Sequence, residues 1–104
     1  MKRTAIPIPT LIKFPQSSAR QDAWGRLTRL TAGGAELSTA VRLLKDEWAA
    51  LSFEIGNQKF DGLRAIVTHA ADDDDGHRVV EFRFVDEVQR RSLAKALTEV
   101  LARS

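Results

Sequence analysis

The sequence predicts a mainly β fold: five or six short antiparallel strands curled into a small barrel, with one C-terminal helix laid against an opening. Three observations lead there. Apolar residues alternate with period two over most of the stretch 8–85, and Gly-, Asn- or Asp-bearing turns interrupt them. Beyond residue 86 the apolar period becomes helical. With 104 residues the chain is long enough for one domain holding a core of its own.

Each element has its own local signal. Residues 1–7 read as a basic, extended N-terminal arm, because Pro7 and Pro9 exclude helix and favour an edge or polyproline-like path. The run 8–14 (I-P-T-L-I-K-F) is a first strand, and Pro15 to Asp22 is a turn. The run 24–31 (W-G-R-L-T-R-L-T) alternates as a second strand, broken by Gly33-Gly34 and resumed in extended form at Ala35-Glu36-Leu37. The stretch 38–46 fits either an irregular crossing or a short helical turn. In 47–55, Ala49, Leu51, Phe53 and Ile55 share one face, opposite Trp48, Ser52 and Glu54. Gly56-Asn57 is a hairpin turn, 58–70 a long strand with Leu63, Ala65 and Val67 inward, and Asp75-Gly76 the positive-φ pair of another hairpin. Strand 78–85 sets Val80, Phe82 and Phe84 on one face, completing a barrel over 8–85. The helix, 86–102, carries Leu93, Leu97, Val100 and Leu101 at helical spacing, with Ala94 and Ala96 beside them. Asp86 is its N-cap, and Gln89 completes a capping box.

Composition narrows the function. At 43% hydrophobic and 29% charged, with three Pro and six Gly, the chain is neither disordered nor low-complexity. The absence of Cys removes disulfides, thiolate metal sites and Cys nucleophiles. No apolar run reaches membrane-spanning length, and the start M-K-R-T-A-I-P lacks the apolar core of a signal peptide, so a cytoplasmic protein without membrane insertion is expected. Charge is uneven. Residues 1–31 carry Lys2, Arg3, Lys13, Arg20, Arg26 and Arg29 against Asp22 alone, while the rest carries ten basic and thirteen acidic residues. Either a local anion site or ordinary solvated charge accounts for that bias.

Enzyme signatures are missing: there is no G-x-S-x-G elbow, phosphate-binding loop or H-E-x-x-H helix. Acid pairs such as Asp46-Glu47 and Asp86-Glu87 are adjacent in sequence and, in a strand, point to opposite faces. His69 and His77 read as structural or solvated. The Asp72–Asp75 run falls short of a calcium loop, since Ala71 stands where its first ligand belongs and Phe82 at its twelfth position. No enzyme, metal or cofactor is expected. More telling is Gly33-Gly34 at a strand end, near Arg26, Arg29 and, if the arm folds back, Arg3. A Gly pair there is either a tight turn, or a place where backbone approaches an oxygen-rich ligand and leaves N–H groups free to bond it. Arg supplies a charged fork for phosphate, or a plane for stacking on a purine.

The stretch Gly25-Arg26-Leu27-Thr28-Arg29-Leu30-Thr31-Ala32-Gly33-Gly34-Ala35-Glu36-Leu37 resembles the strand–turn–strand of PilZ domains, bacterial receptors for cyclic di-GMP. Their pattern [D/N]-x-S-x-x-G reads here Arg29-x-Thr31-x-x-Gly34, and Lys2-Arg3-Thr4 resembles the end of their N-terminal R-x-x-x-R arm. The likeness runs over nearly the whole chain and implies a six-stranded antiparallel β-barrel with a C-terminal helix. It implies a cyclic di-GMP site to which Arg3, Thr31 and Gly34 match, with Arg29 and Gly33 added as candidate ligand-binding residues beside them, and a protein partner in motility or surface attachment. Two departures stand out: the arm's first arginine would fall before Met1, and Arg29 replaces an acid or amide that accepts from the guanine edge. Losing one charge-assisted contact costs about 1.5–3 kcal/mol, roughly ten- to a hundredfold in affinity. Two outcomes stay open, a weakly binding cyclic di-GMP receptor and a ligand-independent adaptor. A third, a barrel binding single-stranded nucleic acid through Trp24 and Trp48, ranks below them because most Phe residues are needed inside, and no DNA partner is expected.

Overall fold

Period-two alternation becomes six strands and the helical period one helix. The structure, a computed structural model, describes residues 8–17, 19–72 and 76–103. The strands are β1 (Ile8–Lys13), β2 (Ala23–Leu30), β3 (Gly34–Thr39), β4 (Trp48–Ile55), β5 (Gln58–Asp72) and β6 (Arg78–Phe84), followed by α1 (Glu87–Arg103). They close in the order β1-β2-β3-β6-β5-β4, every neighbour antiparallel. The expected barrel is therefore present. The basic arm over 1–7 lies outside the described residues, and no described helix is long and apolar enough to cross a membrane.

Inward residues fill the barrel. Leu37, Leu51, Val67 and Val80 are fully buried, with Ile12, Phe84 and Leu93 beside them. Each such side chain taken from water contributes about 1.5–3 kcal/mol. The faces read for 47–55, 58–70 and 78–85 are the ones observed: Ala49, Phe53, Ile55, Leu63, Ala65 and Phe82 are all in the core. Two threonines join them with their hydroxyls satisfied, Thr10 donating to the Ile8 carbonyl and Thr39 to that of Trp24.

Three bulges bend the sheet. An extra residue stands at Thr28 in β2, at Asp61–Gly62 in β5 opposite Ser52, and at Thr68 in β5. Gly62 takes φ +76° in the second of these, a conformation only Gly adopts freely. Its N–H donates to the Ser52 hydroxyl, which in turn donates to Asp61.

The ambiguous stretch after β3 is an irregular crossing. Leu43 sinks into the core, and Asp46, at φ 71°, turns the chain so that its N–H bonds the Val67 carbonyl at 2.8 Å. Asp tolerates that left-handed conformation because its short polar side chain can bond locally. Arg20 ties this crossing to the first turn. Its guanidinium sits 4.3 Å from the Phe14 ring, 3.3 Å from the Glu47 carboxylate and 2.7 Å from the Arg42 carbonyl.

The helix starts as expected at one end and differently at its side chain. Asp86 caps it, its carboxylate accepting the Gln89 N–H at 2.9 Å. The Gln89 side chain does not turn back to complete a capping box. It reaches β5 instead, accepting from the Arg64 N–H and donating to the Gly62 carbonyl. Leu93 and Ala96 are buried and Leu97 and Val100 half-buried, whereas Ala94, expected on that stripe, faces solvent.

Candidate functional site

The turn from β2 to β3 collects four of the sequence-derived residues. Thr31 ends the strand with a hydroxyl, and that hydroxyl organises the turn. Its oxygen accepts the N–H groups of Gly33 and Gly34, each at 3.2 Å, and donates to the Gly34 carbonyl at 3.3 Å. The Thr31 N–H also bonds the Gly34 carbonyl at 2.9 Å, and the Gly33 carbonyl accepts from Phe84 at 3.0 Å. The expectation that this Gly pair leaves free amides is corrected here: both amides point back at Thr31. A threonine hydroxyl two and three residues before such amides helps close a loop of this kind with no ligand present.

The two glycines differ in why they are glycine. A Cβ on Gly34 would lie 2.3 Å from the Phe82 carbonyl oxygen, so β3 can approach β6 only without a side chain there. At Gly33 a Cβ would meet nothing nearer than the Thr31 hydroxyl at 4.0 Å. Gly34 is thus required by the packing of the barrel, while Gly33 is open to a ligand or to substitution.

Arg29 faces solvent, although plain alternation puts it on the face of buried Leu27. The bulge at Thr28 accounts for the reversal, because one extra residue turns every later side chain to the other face. Opposite Arg29 on β3 is Glu36, whose carboxylate accepts from Thr28 at 2.8 Å. Arg29, Glu36, Glu81 and His69 form one outer row across β2, β3, β6 and β5. Nearer the turn, Gly34 faces Arg83, Arg83 faces Ile66, and Ile66 faces Trp48, over which the Arg64 guanidinium lies at 5.7 Å from the ring. Arg83 is a cation beside the turn that the sequence alone did not single out. Alternation against Phe82 and Phe84 marks it as outward, but only the β3–β6 pairing places it beside Gly34.

The remaining basic residues do not gather. Arg20 is engaged by Glu47, Lys13 lies at the far end of β1, and Arg26 projects from β2 between Pro9 and Ser38. Among the described cations, Arg29 and Arg83 adjoin the turn; Arg3 lies outside the described residues. The two Trp residues form no joint platform either. Trp24, 66% exposed, neighbours Leu11 on β1, while Trp48 lies two strands further round, beneath Arg64.

A barrel of this strand order, with its helix after the last strand, is the PilZ fold. The PilZ domain of Escherichia coli YcgR, solved with c-di-GMP, superposes at TM-score 0.71 over 93% of this chain and 83% of that one, at 15% identity. YcgR of the same organism in complex with c-di-GMP gives 0.72 over 99% of this chain, also at 15% identity. The Bacillus subtilis inhibitor of motility, MotI/DgrA, gives 0.69 over 96% of this chain at 14% identity. This chain spans 46% of that YcgR chain and 50% of MotI. No protein-family model matches the sequence, and no curated protein matches it either.

Proposed function

We propose that this chain is a PilZ-type signalling module that takes cyclic di-GMP at the Thr31–Gly34 turn, weakly, and signals to a protein partner in motility or surface attachment. The observation that carries the reading is the meeting of Arg29, Arg83 and the open Gly33 at one strand end on a PilZ barrel. Similar folds were solved with c-di-GMP, and another is an inhibitor of motility. Chain direction supports a role for the arm. Ile8 faces Leu27, four positions before Thr31, and Arg3 stands five residues upstream of Ile8. Five extended residues span up to about 17 Å, enough to bring a guanidinium to a ligand on the turn. An arm laid over the ligand would change the surface a partner meets.

A second reading, a ligand-independent adaptor, draws on two observations: the Gly33 and Gly34 amides are already bonded to Thr31, and a cation stands at position 29. Calorimetric titration with cyclic di-GMP at low salt separates the two. The receptor reading expects saturable binding that Arg3→Ala weakens at least about tenfold, the worth of one charge-assisted contact to phosphate. Lys59→Ala, on the β4–β5 hairpin, should leave it unchanged. No heat up to about a millimolar ligand, near the weak limit of a specific site, leaves the adaptor.

A further inference from the structure

β5 is the longest strand, and its far end outruns one of its neighbours. On the β4 side its ladder ends at Ile66, opposite Trp48. The crossing extends that pairing by one residue: Val67 donates to the Glu47 carbonyl at 2.9 Å and accepts from the Asp46 N–H at 2.8 Å. From Thr68 to Asp72 the strand is paired to β6 alone among the described residues. Five such residues leave about 17 Å of strand edge open, a template for a further strand. His69, Ala71 and Asp72 are exposed there.

This edge forms one wall of a cleft of about 380 Å³, and residues 42–45 of the crossing form the other, with Arg78 of β6 also lining it. The crossing wall is pinned by Glu47. Its carboxylate accepts the Leu44 N–H and its own N–H donates to the Leu44 carbonyl, each at 3.0 Å. Glu47 is in turn paired with Arg20 at 3.3 Å, and Asp72 with Arg78 at 3.2 Å. Arg42 and Lys45 take part in no ion pair among the described residues. Between them Leu44, 56% exposed, gives the cleft an apolar surface.

We propose that this cleft takes an extended, acidic segment of a partner protein, added as a strand to the open edge of β5. Strand addition draws affinity from main-chain hydrogen bonds and selectivity from alternate side chains. Apolar side chains of the segment pack on Leu44, and its carboxylates pair with Arg42 and Lys45. The lining carries three cations, Arg42, Lys45 and Arg78, against Asp72, so an acidic strand is favoured over a basic one. Asp73-Asp74-Asp75 follow Asp72 in the sequence, which directs the segment's acids toward the crossing. The cleft lies at the opposite end of β6 from the Thr31–Gly34 turn, since Arg78 faces Thr39 and Arg83 faces Gly34. It does not depend on the cyclic di-GMP reading.

The test is titration of the whole chain, without cyclic di-GMP, with three end-blocked peptides, followed by amide hydrogen exchange. One peptide alternates Val and Glu, one alternates Val and Lys, and the third is the Val–Glu peptide N-methylated at two adjacent inner residues, which removes donors and keeps the charge. The Val–Glu peptide should bind saturably below about a millimolar and slow exchange within residues 68–72 at least about tenfold. The other two peptides should bind at least about tenfold more weakly, as should the Val–Glu peptide to Arg42→Glu/Lys45→Glu. If that variant fails to fold in a thermal melt, the three peptides on the wild type decide alone. No binding of the Val–Glu peptide up to about a millimolar overturns the proposal. Equal binding of the Val–Lys peptide removes the charge selection, and equal binding of the N-methylated one removes the strand pairing; either overturns it. Protection of 68–72 that rises with protein concentration alone overturns it too, because a second copy then covers the edge.

Discussion

Gln89 on α1 is bonded to Arg64 on β5 as though it were a strand residue: its side-chain oxygen accepts the Arg64 N–H at 2.9 Å, and its amide nitrogen donates to the Gly62 carbonyl at 3.1 Å. β5 needs this because its other neighbour stops short. The β5–β6 ladder begins at Ala65, opposite Phe84, leaving the strand before it with an open edge. Val85 takes the Arg64 carbonyl at 3.2 Å, and Gln89 takes the next two groups. One side chain therefore seals the barrel where β6 ends and fixes the start of the helix over it.

Replacing Gln89 tests that account. Gln89→Ala leaves one backbone donor and one acceptor without their partner, and should cost about 1–3 kcal/mol, read as a lower urea midpoint at unchanged slope. Gln89→Glu keeps an acceptor for Arg64 and loses the donor to Gly62, so it should fall between. An Ala variant as stable as the wild type would mean that water serves this edge equally well.

The two glycines of the turn should behave oppositely. Gly34→Ala forces a methyl to 2.3 Å from the Phe82 carbonyl and must push β3 off β6. A loss above about 3 kcal/mol, or failure to fold, is expected from such overpacking against backbone. Gly33→Ala meets open space and should stay within about 1 kcal/mol of wild type in thermal unfolding.

These contrasts show what was legible in the sequence. The barrel, its inward faces and the cap at Asp86 follow from periodicity, because burial writes itself into every second or every third to fourth residue. The helix bounds were legible to within a residue, and so was the position of the Thr31–Gly34 turn. What escaped were the single-residue insertions. In W-G-R-L-T-R-L-T the alternation sets Arg29 beside Leu27, and only the bulge at Thr28 turns it outward. A bulge is a relation between two strands, and one strand's pattern does not contain it. The same holds for Arg83, set beside Gly34 by pairing across the sheet, and for Gln89, whose spacing from Asp86 fits a capping box that its side chain forgoes for β5.

Arg20 offers a third prediction, on the crossing after β3. Its side chain is 30% exposed and that of Glu47 20%, so the pair is only partly screened. Arg20→Ala also strips the cation from Phe14 and the donor from the Arg42 carbonyl. A loss of about 1–2 kcal/mol is expected, falling in high salt, with a double-mutant cycle against Glu47→Gln giving coupling of about 0.5–1 kcal/mol. Zero coupling would reassign the effect to the stacking and the carbonyl bond.

Thr31 is the most direct probe of the site, because a hydroxyl that shapes the turn and a hydroxyl that only touches ligand behave differently before any ligand is added. Thr31→Ser keeps the oxygen that accepts from Gly33 and Gly34, and Thr31→Val removes it while keeping the shape. Since the turn is exposed, water replaces part of what is lost, and Thr31→Val should cost about 0.5–1.5 kcal/mol. The local consequence is sharper than the global one. In Thr31→Val the Gly33 and Gly34 amides should exchange with solvent about tenfold faster than in Thr31→Ser, the equivalent of about 1.4 kcal/mol of local opening. Equal exchange in the two variants would show that the backbone pairing of Thr31 with Gly34 holds the loop alone. The hydroxyl would then be free in solution to bond whatever occupies the turn.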